Sequence, residues 1–291
     1  MKVEIRNITQ QFDEVTALDD ISFTLEGDQI HGLLGRNGSG KSTLLNIIAG
    51  FREPTSGEVL IDGEPVFENA DVMQRIALIR ESGDTVESSE KVSEALRFAE
   101  YLRPNWNADR ANELLEKFEV SPKSKINSLS RGRRSGLGIA LGLAASAELT
   151  MLDETYLGLD APSRYLFYDE LLSEFMERPR TFVLSTHLIE EVARVLENIV
   201  IIDQGKLLLH DPQEQIVGRG AAVTGNEQDV DAFVASMTII GERQLGRTKS
   251  VMVYGDFDDQ LRSAARATGL ELESLGLQDL FVHLTQQKGG E

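Results

Sequence analysis

The chain has 291 residues, of which 41% are apolar and 26% charged. That suffices for about two globular domains of roughly 150 residues each, and it excludes a disordered chain, a collagen and a mini-protein held by bridges. There is no cysteine, so a disulfide framework or thiolate metal site is excluded, and 48 acidic against 29 basic residues give a formal charge of −19. Such a surface is repelled by phosphate backbones and anionic leaflets, so neither nucleic-acid nor direct lipid binding is expected.

The first residues, MKVEIRNITQ, have no apolar signal region. Apolar runs predict strands over 3–8, 21–25 and 30–34. The last ends in GRNGSGKST, and Leu44, Leu45, Ile47 and Ile48 follow at helical spacing, with Gly50 placed as a helix-ending glycine. Turn signals at Pro54–Gly57 and Asp62–Gly63 bracket a strand over 58–61. Helices are predicted over 91–102 and 108–118. The stretch 137–152 is the most apolar, yet it carries Ser146 and Glu148 and falls short of a ~20-residue span. A strand over 149–152, a helix over 162–177, a strand over 181–185, a helix over 189–196 and strands over 199–202 and 206–209 complete the alternation. It predicts a parallel sheet covered by helices. A boundary is expected between Asp211 and Gly220. Beyond it the order β-α-β-β-α-β suggests a small ferredoxin-like unit.

Gly35–Ser42 reads G-R-N-G-S-G-K-S, the pattern G-x-x-x-x-G-K-[ST]. A polyphosphate needs several donors on one concave surface. Glycines 35, 38 and 40 let the backbone curl so that successive N–H groups point inward, and the helix starting near Lys41 adds its N-terminal donors. Lys41 is expected to reach the β- and γ-phosphates and the Ser42 hydroxyl to ligate Mg²⁺. The alternative is a glycine-rich turn with a chance lysine, and the pattern arises by chance in on the order of one chain in a hundred of this size.

L-T-M-L-D-E over Leu149–Glu154 ends an apolar strand in two carboxylates, at the ligand side of an open sheet. Asp153 is expected to hold Mg²⁺ through its water shell and Glu154 to polarise the attacking water. His187 follows the strand T-F-V-L-S-T, where it can hydrogen-bond a γ-phosphate. His31, His210 and His283 have no partner pattern and read as structural.

Together these motifs resemble the nucleotide-binding subunit of an ABC transporter, over roughly residues 3–215. In that resemblance Phe12 stacks on adenine. Gly35, Arg36, Asn37, Gly38, Ser39, Gly40, Lys41, Ser42 and Thr43 form the Walker A loop. Asp153 and Glu154 are the Walker B carboxylate and catalytic glutamate, and His187 is the switch histidine. Ser130, Arg131 and Gly132, within L-S-R-G-R, correspond to the signature, and Asp160 to the D-loop. The sequence departs from the pattern at Arg131 and Arg133, at Thr155-Tyr156, and at Glu81, which stands where the family has glutamine and could still ligate Mg²⁺ through its carboxylate oxygen.

The resemblance implies an α/β P-loop ATPase core over 1–215, with a helical subdomain over about 88–135 and a small α+β domain over 221–291. It implies an ATPase that uses ATP and Mg²⁺, with catalytic Glu154 and His187. Two chains, identical or different, would pair head to tail and drive a separate transmembrane chain from the cytoplasmic face of the membrane. Overall size and the C-terminal unit resemble exporter subunits. The competing readings are a soluble ABC-type ATPase and a nucleotide-dependent regulator uncoupled from transport.

Overall fold

The computed structural model describes residues 1–80, 90–257 and 259–286. Two compact units divide the chain: Met1–Leu188 with Val195–His210, and Ile189–Arg194 with Asp211–Glu291.

Strands β1 (Val3–Phe12) and β2 (Val15–Leu25) pair antiparallel, and both run further than the apolar runs predict. Then come β3 (Ile30–Leu34), α1 (Lys41–Ile48), β4 (Ser56–Ile61), β5 (Glu64–Pro65), α2 (Ala70–Met73) and β6 (Ile76–Arg80). Helices α3 (Val92–Leu102), α4 (Ala108–Lys117) and α5 (Arg131–Ala144) follow, then β7 (Leu149–Asp153), α6 (Ala161–Glu177) and β8 (Thr181–Thr186). After α7 (Ile189–Val192), strands β9 (Asn198–Asp203) and β10 (Lys206–Pro212) close the series.

The first unit holds two sheets. One is antiparallel, in the order β2-β1-β4-β5. The other has the order β10-β9-β3-β8-β7-β6, parallel from β9 through β6. Leu44, Leu45 and Ile48 of α1 share one buried core with Ile5 and Ile8 of β1 and Met151 and Val200 of the parallel sheet. The phosphate loop, which connects β3 to α1, is therefore held from above and below.

The apolar stretch after the signature is α5, a helix of 14 residues buried along most of its length. It packs among protein elements, which is why no long polar face marks it. The helix expected over 189–196 is α7 followed by a 3-10 turn over Ala193–Val195. The stretch expected to hold the boundary is the end of β10 followed by α8 (Gln213–Gly218).

The second unit continues with β11 (Gly220–Asn226), α9 (Glu227–Val234), β12 (Thr238–Leu245), β13 (Thr248–Tyr254), α10 (Asp259–Ala267), β14 (Glu271–Ser274) and α11 (Leu277–Gln286). Its sheet runs β12-β13-β11-β14 with every pair antiparallel. Val223, Val230, Val251 and Val253 form its separate core. Among the described residues no helix is long and apolar enough to cross a membrane.

Candidate nucleotide site

The phosphate loop is shaped by three glycines in three ways. A Cβ on Gly35 would lie 2.3 Å from Ser39 Oγ and 2.5 Å from the Ile202 carbonyl, so only glycine lets the loop turn against β9. Gly38 has φ 80° with open space where a Cβ would stand. Gly40, at φ 105°, caps α1 and lies against the Ala17 carbonyl and Leu18 of β2. These left-handed conformations cost an L side chain free energy and cost glycine almost none. The result is a loop whose amides lead into the N-terminus of α1, an arrangement suited to anions.

Lys41 is 5% exposed. Its Nζ donates to the carbonyls of Gly35 at 2.9 Å and Arg36 at 3.2 Å and lies 3.4 Å from Glu154 Oε1. Glu154 follows the end of β7 with φ 51°, and its N–H donates to the Ser185 carbonyl of β8 at 3.2 Å. That left-handed corner, unusual for glutamate, lifts the carboxylate to the end of the sheet. His187 Nδ1 lies 3.1 Å from the same Oε1. A carboxylate only accepts, so this contact makes Nδ1 the donor and leaves Nε2 for another partner. The structure thus gathers Lys41, Glu154 and His187, from three separate stretches of sequence, around one carboxylate oxygen.

Asp153 is 7% exposed and its Oδ1 has no hydrogen-bond partner. Ser39 Oγ is buried and unpartnered as well. Buried polar atoms without partners are costly, and an unmatched carboxylate oxygen beside a phosphate loop fits the oxygen-donor needs of Mg²⁺. Thr155 and Tyr156, the departures from the family pattern, are both fully buried. The Thr155 hydroxyl donates to the Ile79 carbonyl at 3.1 Å, and Tyr156 stacks on Phe167 at 5.4 Å. This pair seats the corner that carries Glu154. Glu81 lies outside the described residues.

Phe12 ends β1 and is 37% exposed. The guanidinium of Arg52 lies over its ring, 4.7 Å from the centroid. The sequence reading missed Arg52; its only signal was an arginine two residues past the helix-ending Gly50.

The signature residues lie elsewhere. Ser130 caps α5, its Oγ accepting from Arg133 N–H at 3.3 Å. Asp160 caps α6, accepting from Ser163 N–H at 3.1 Å. The hydroxyl and N–H of Ser163 hold the Asp160 carboxyl below its usual range. Gly132 packs close to the Gly158 carbonyl, where a Cβ would come within 3.2 Å. Arg131, the first residue of α5, has its Cγ 3.0 Å from where a Cβ on Gly158 would stand. Ser130, Gly132 and Asp160 line a cavity of about 330 Å³ with Arg133 and Gly158, and no phosphate-loop residue lines it. His31 is structural: it is buried, its Nε2 meets the Glu26 carbonyl at 2.8 Å, and burial pushes its pKa down.

Known proteins carry the same architecture. A family model described as ABC transporter matches residues 18–156. The ABC transporter ATP-binding protein YtrB of Bacillus subtilis is 30% identical over 207 residues, covering 70% of this chain and 70% of its own. The chain belongs to the ATP-binding subunits of ABC transporters.

The Nod factor export ATP-binding protein I of Burkholderia lata is 28% identical over 304 residues, covering 97% of this chain and 96% of its own. A solved ATP-binding subunit of an ABC transporter superposes with TM-score 0.67 at 22% identity, over 74% of this chain and 92% of that one. A dimeric cassette in a post-hydrolysis state with ADP and phosphate superposes with TM-score 0.64 at 24% identity, over 72% of this chain and 98% of that one. Subunits of this family bind and hydrolyse ATP, pair as dimers and work with transmembrane chains, and this ABC subunit is an ATPase of that kind.

Proposed function

We propose that this subunit drives an export-type ABC transporter through two composite ATP sites, each built from the phosphate loop of one chain and the signature of its partner. The observation that carries this reading is the triad around Glu154 Oε1, with Lys41 at 3.4 Å and His187 at 3.1 Å, beside the unpartnered Asp153 oxygen. The triphosphate rests on the amides of Gly35 to Thr43, with Arg36, Asn37 and Ser39 contributing loop backbone. Lys41 exchanges its carbonyl partners for β- and γ-oxygens. Ser42 and Asp153 would hold Mg²⁺, with Glu81 the sequence's further candidate, and the ion would supply charge neutralisation.

Released from Lys41, Glu154 accepts a proton from water as the water oxygen bonds to the γ-phosphorus and the bond to the ADP oxygen breaks. His187, oriented by Glu154, presents Nε2 to the γ-phosphate. Phe12 stacks on the base. The partner's γ-phosphate receives the Ser130 hydroxyl and the Gly132 amide, with Arg131 adding positive charge and Asp160 shaping the adjoining turn.

Each ATP, held by the phosphate loop of one chain and the signature of the other, bridges the pair and so favours its closure. Hydrolysis removes the γ-phosphate link and reopens the pair. The transmembrane chain sits at the apolar cavity of about 320 Å³ between β6 and α3, rimmed by exposed Phe51, Phe98 and Leu102. The subunit then works at the cytoplasmic face of the membrane without binding lipid or nucleic acid directly. Export rests on the relative named for Nod factor export, which matches along nearly the whole chain. Residues 221–291 act as a small ferredoxin-like domain.

Purifying the subunit from native membranes tests the reading. A multi-span chain should co-purify and raise ATP turnover, and Phe98→Glu should release it while leaving basal turnover intact. Co-purification with ribosomes or DNA instead would support a soluble ABC ATPase.

A further inference from the structure

Phe12 stands on β1 between two neighbours that the sheet order keeps apart. In the order β2-β1-β4, β2 flanks one side of β1 and β4 the other. The phosphate loop touches the β2 side: Gly40 lies against Ala17 and Leu18, and Leu18 pairs with Gln10, two residues before Phe12. The segment that leads into β4 touches the other side. Its Thr55 hydroxyl accepts from the Gln11 N–H at 3.0 Å, and Thr9 pairs with Ser56. Arg52 belongs to that segment, and its guanidinium lies 4.7 Å over the Phe12 ring. Arg52 thus reaches the ring from the β4 side of β1 while the phosphate loop touches the β2 side, and with the guanidinium over one face the other face of this partly exposed ring is the one a base would take.

We propose that Arg52 is a positioning residue for the nucleobase, backing Phe12 so that base, ring and guanidinium form a three-layer stack. This deepens the reading of Phe12 as the base-stacking residue and rests on it. Two physical effects act together. The guanidinium fixes a ring that is more than a third exposed and otherwise free to turn at the end of an edge hairpin, so less side-chain entropy is lost when the base arrives. It also draws π-density toward its own face, leaving the opposite face less electron-rich and a better partner for a purine. Among the described residues no carboxylate pairs with Arg52, so the ring is its one charge-stabilising contact there. The chain places this residue by loop geometry: α1 ends at Ile48, Gly50 follows with φ 72°, and Arg52 lies in the short segment that returns to β1 at Thr55 and Ser56.

The test separates base from phosphate. Affinity is measured by displacement of a fluorescent nucleotide, with ATP and with inorganic tripolyphosphate as competitors, on the full chain and on Arg52→Ala, Arg52→Lys and Phe12→Ala. Arg52→Ala should weaken ATP about threefold at unchanged kcat, and tripolyphosphate should bind as it does to wild type. Arg52→Lys should recover part of the loss. In a Phe12→Ala background, Arg52→Ala should change nothing further. Equal weakening of ATP and tripolyphosphate would make Arg52 a phosphate-attracting charge and overturn the proposal. An effect that persists without Phe12 would overturn it too. If Phe12→Ala weakens ATP while Arg52→Ala does not, Arg52 fails and the base-stacking reading stands. If Phe12→Ala itself leaves ATP affinity unchanged, both fall. A melting curve without nucleotide, expected to be unaltered for Arg52→Ala because the residue is exposed, separates these outcomes from loss of fold.

Discussion

The phosphate loop and the signature face are built to opposite plans. Around the loop, the side chains proposed for the ATP site already hold one another: Lys41 is buried and bridges two carbonyls and Glu154, and His187 contacts the same carboxylate. On the signature face Ser130 and Asp160 serve their own helices: Ser130 caps α5 and Asp160 caps α6, and in the cavity between them Arg133 pairs with Glu119 at 3.4 Å rather than with either. The first region resembles a site waiting for a substrate to exchange partners with it. The second resembles half of an interface, stable alone and functional only against something else. On the proposed reading a single chain binds ATP through its loop and receives the remaining γ-phosphate donors from its partner.

The largest effect should come from Glu154→Gln. The amide keeps the shape and loses the ability to take a proton from water, so turnover should fall about 10²- to 10⁴-fold while ATP affinity is retained. Removing a negative charge near the γ-phosphate should also make ATP-loaded pairs accumulate, read by light scattering. A fully active variant would falsify the catalytic role.

Next in size is Lys41→Ala. It deletes a buried charge that faces the loop carbonyls now and the phosphates later, and charge-assisted contacts of this kind are the strong ones. Nucleotide titration should show ATP affinity falling by more than about tenfold. Affinity within about threefold of wild type would mean that the loop is not the phosphate site. The comparison is sharpened by the same titration on Ser130→Gly, which should leave monomer binding untouched.

The two regions were also unequally legible in the sequence. The loop could be read because its chemistry is local: three glycines, one lysine and two serine hydroxyls lie within eight residues between an apolar strand and an apolar-faced helix. Glu154 and His187 were readable as strand ends, because the ligand side of a parallel sheet is fixed by topology. What the sequence hid was lateral packing. Arg52 over Phe12, Thr155 bonded to Ile79 and Tyr156 stacked on Phe167 depend on which elements become neighbours, and no periodicity encodes that. Helix α5 was hidden for a related reason. Its residues 137–144 are all buried and carry no polar stripe, so they read as part of an apolar run with no polarity to betray the helix. Ser130 and Asp160 came from the family resemblance, and the structure adds that both are helix caps.

A smaller effect concerns Ser130. Ser130→Gly keeps most of the cap, since glycine at that position costs only a few tenths of a kcal/mol, yet removes the hydroxyl. ATP-driven pairing and turnover should fall while monomer binding stays. Mixing this variant with Lys41→Ala chains then tests composition. One interface of the mixed pair carries both lesions and the other neither, so part of the activity should return. No recovery, with pairing intact, would mean that both sites must fire together. Weaker ATP binding in the isolated Ser130→Gly monomer would end the cross-pair assignment.

The smallest effect is a pH dependence at Asp160. The Ser163 hydroxyl and N–H favour the carboxylate, so the folded-state pKa lies below the unfolded value near 3.8. A depressed acid contributes stability that is fully present above the unfolded pKa and is lost as pH falls through the folded one. Asp160→Asn retains a capping acceptor that does not titrate. The difference in melting temperature between wild type and Asp160→Asn should therefore be flat from about pH 8 to 5 and should shrink below about pH 4. A difference that stays constant into acid would mean that the carboxylate charge does nothing for the cap. Pairing with ATP at neutral pH adds the second reading. If Asp160→Asn lowers the melting temperature but leaves ATP-driven pairing unchanged, Asp160 serves only its own helix. If pairing drops more than stability does, the cap is also a contact in the closed pair, and the signature face contributes through the same groups that finish its helices.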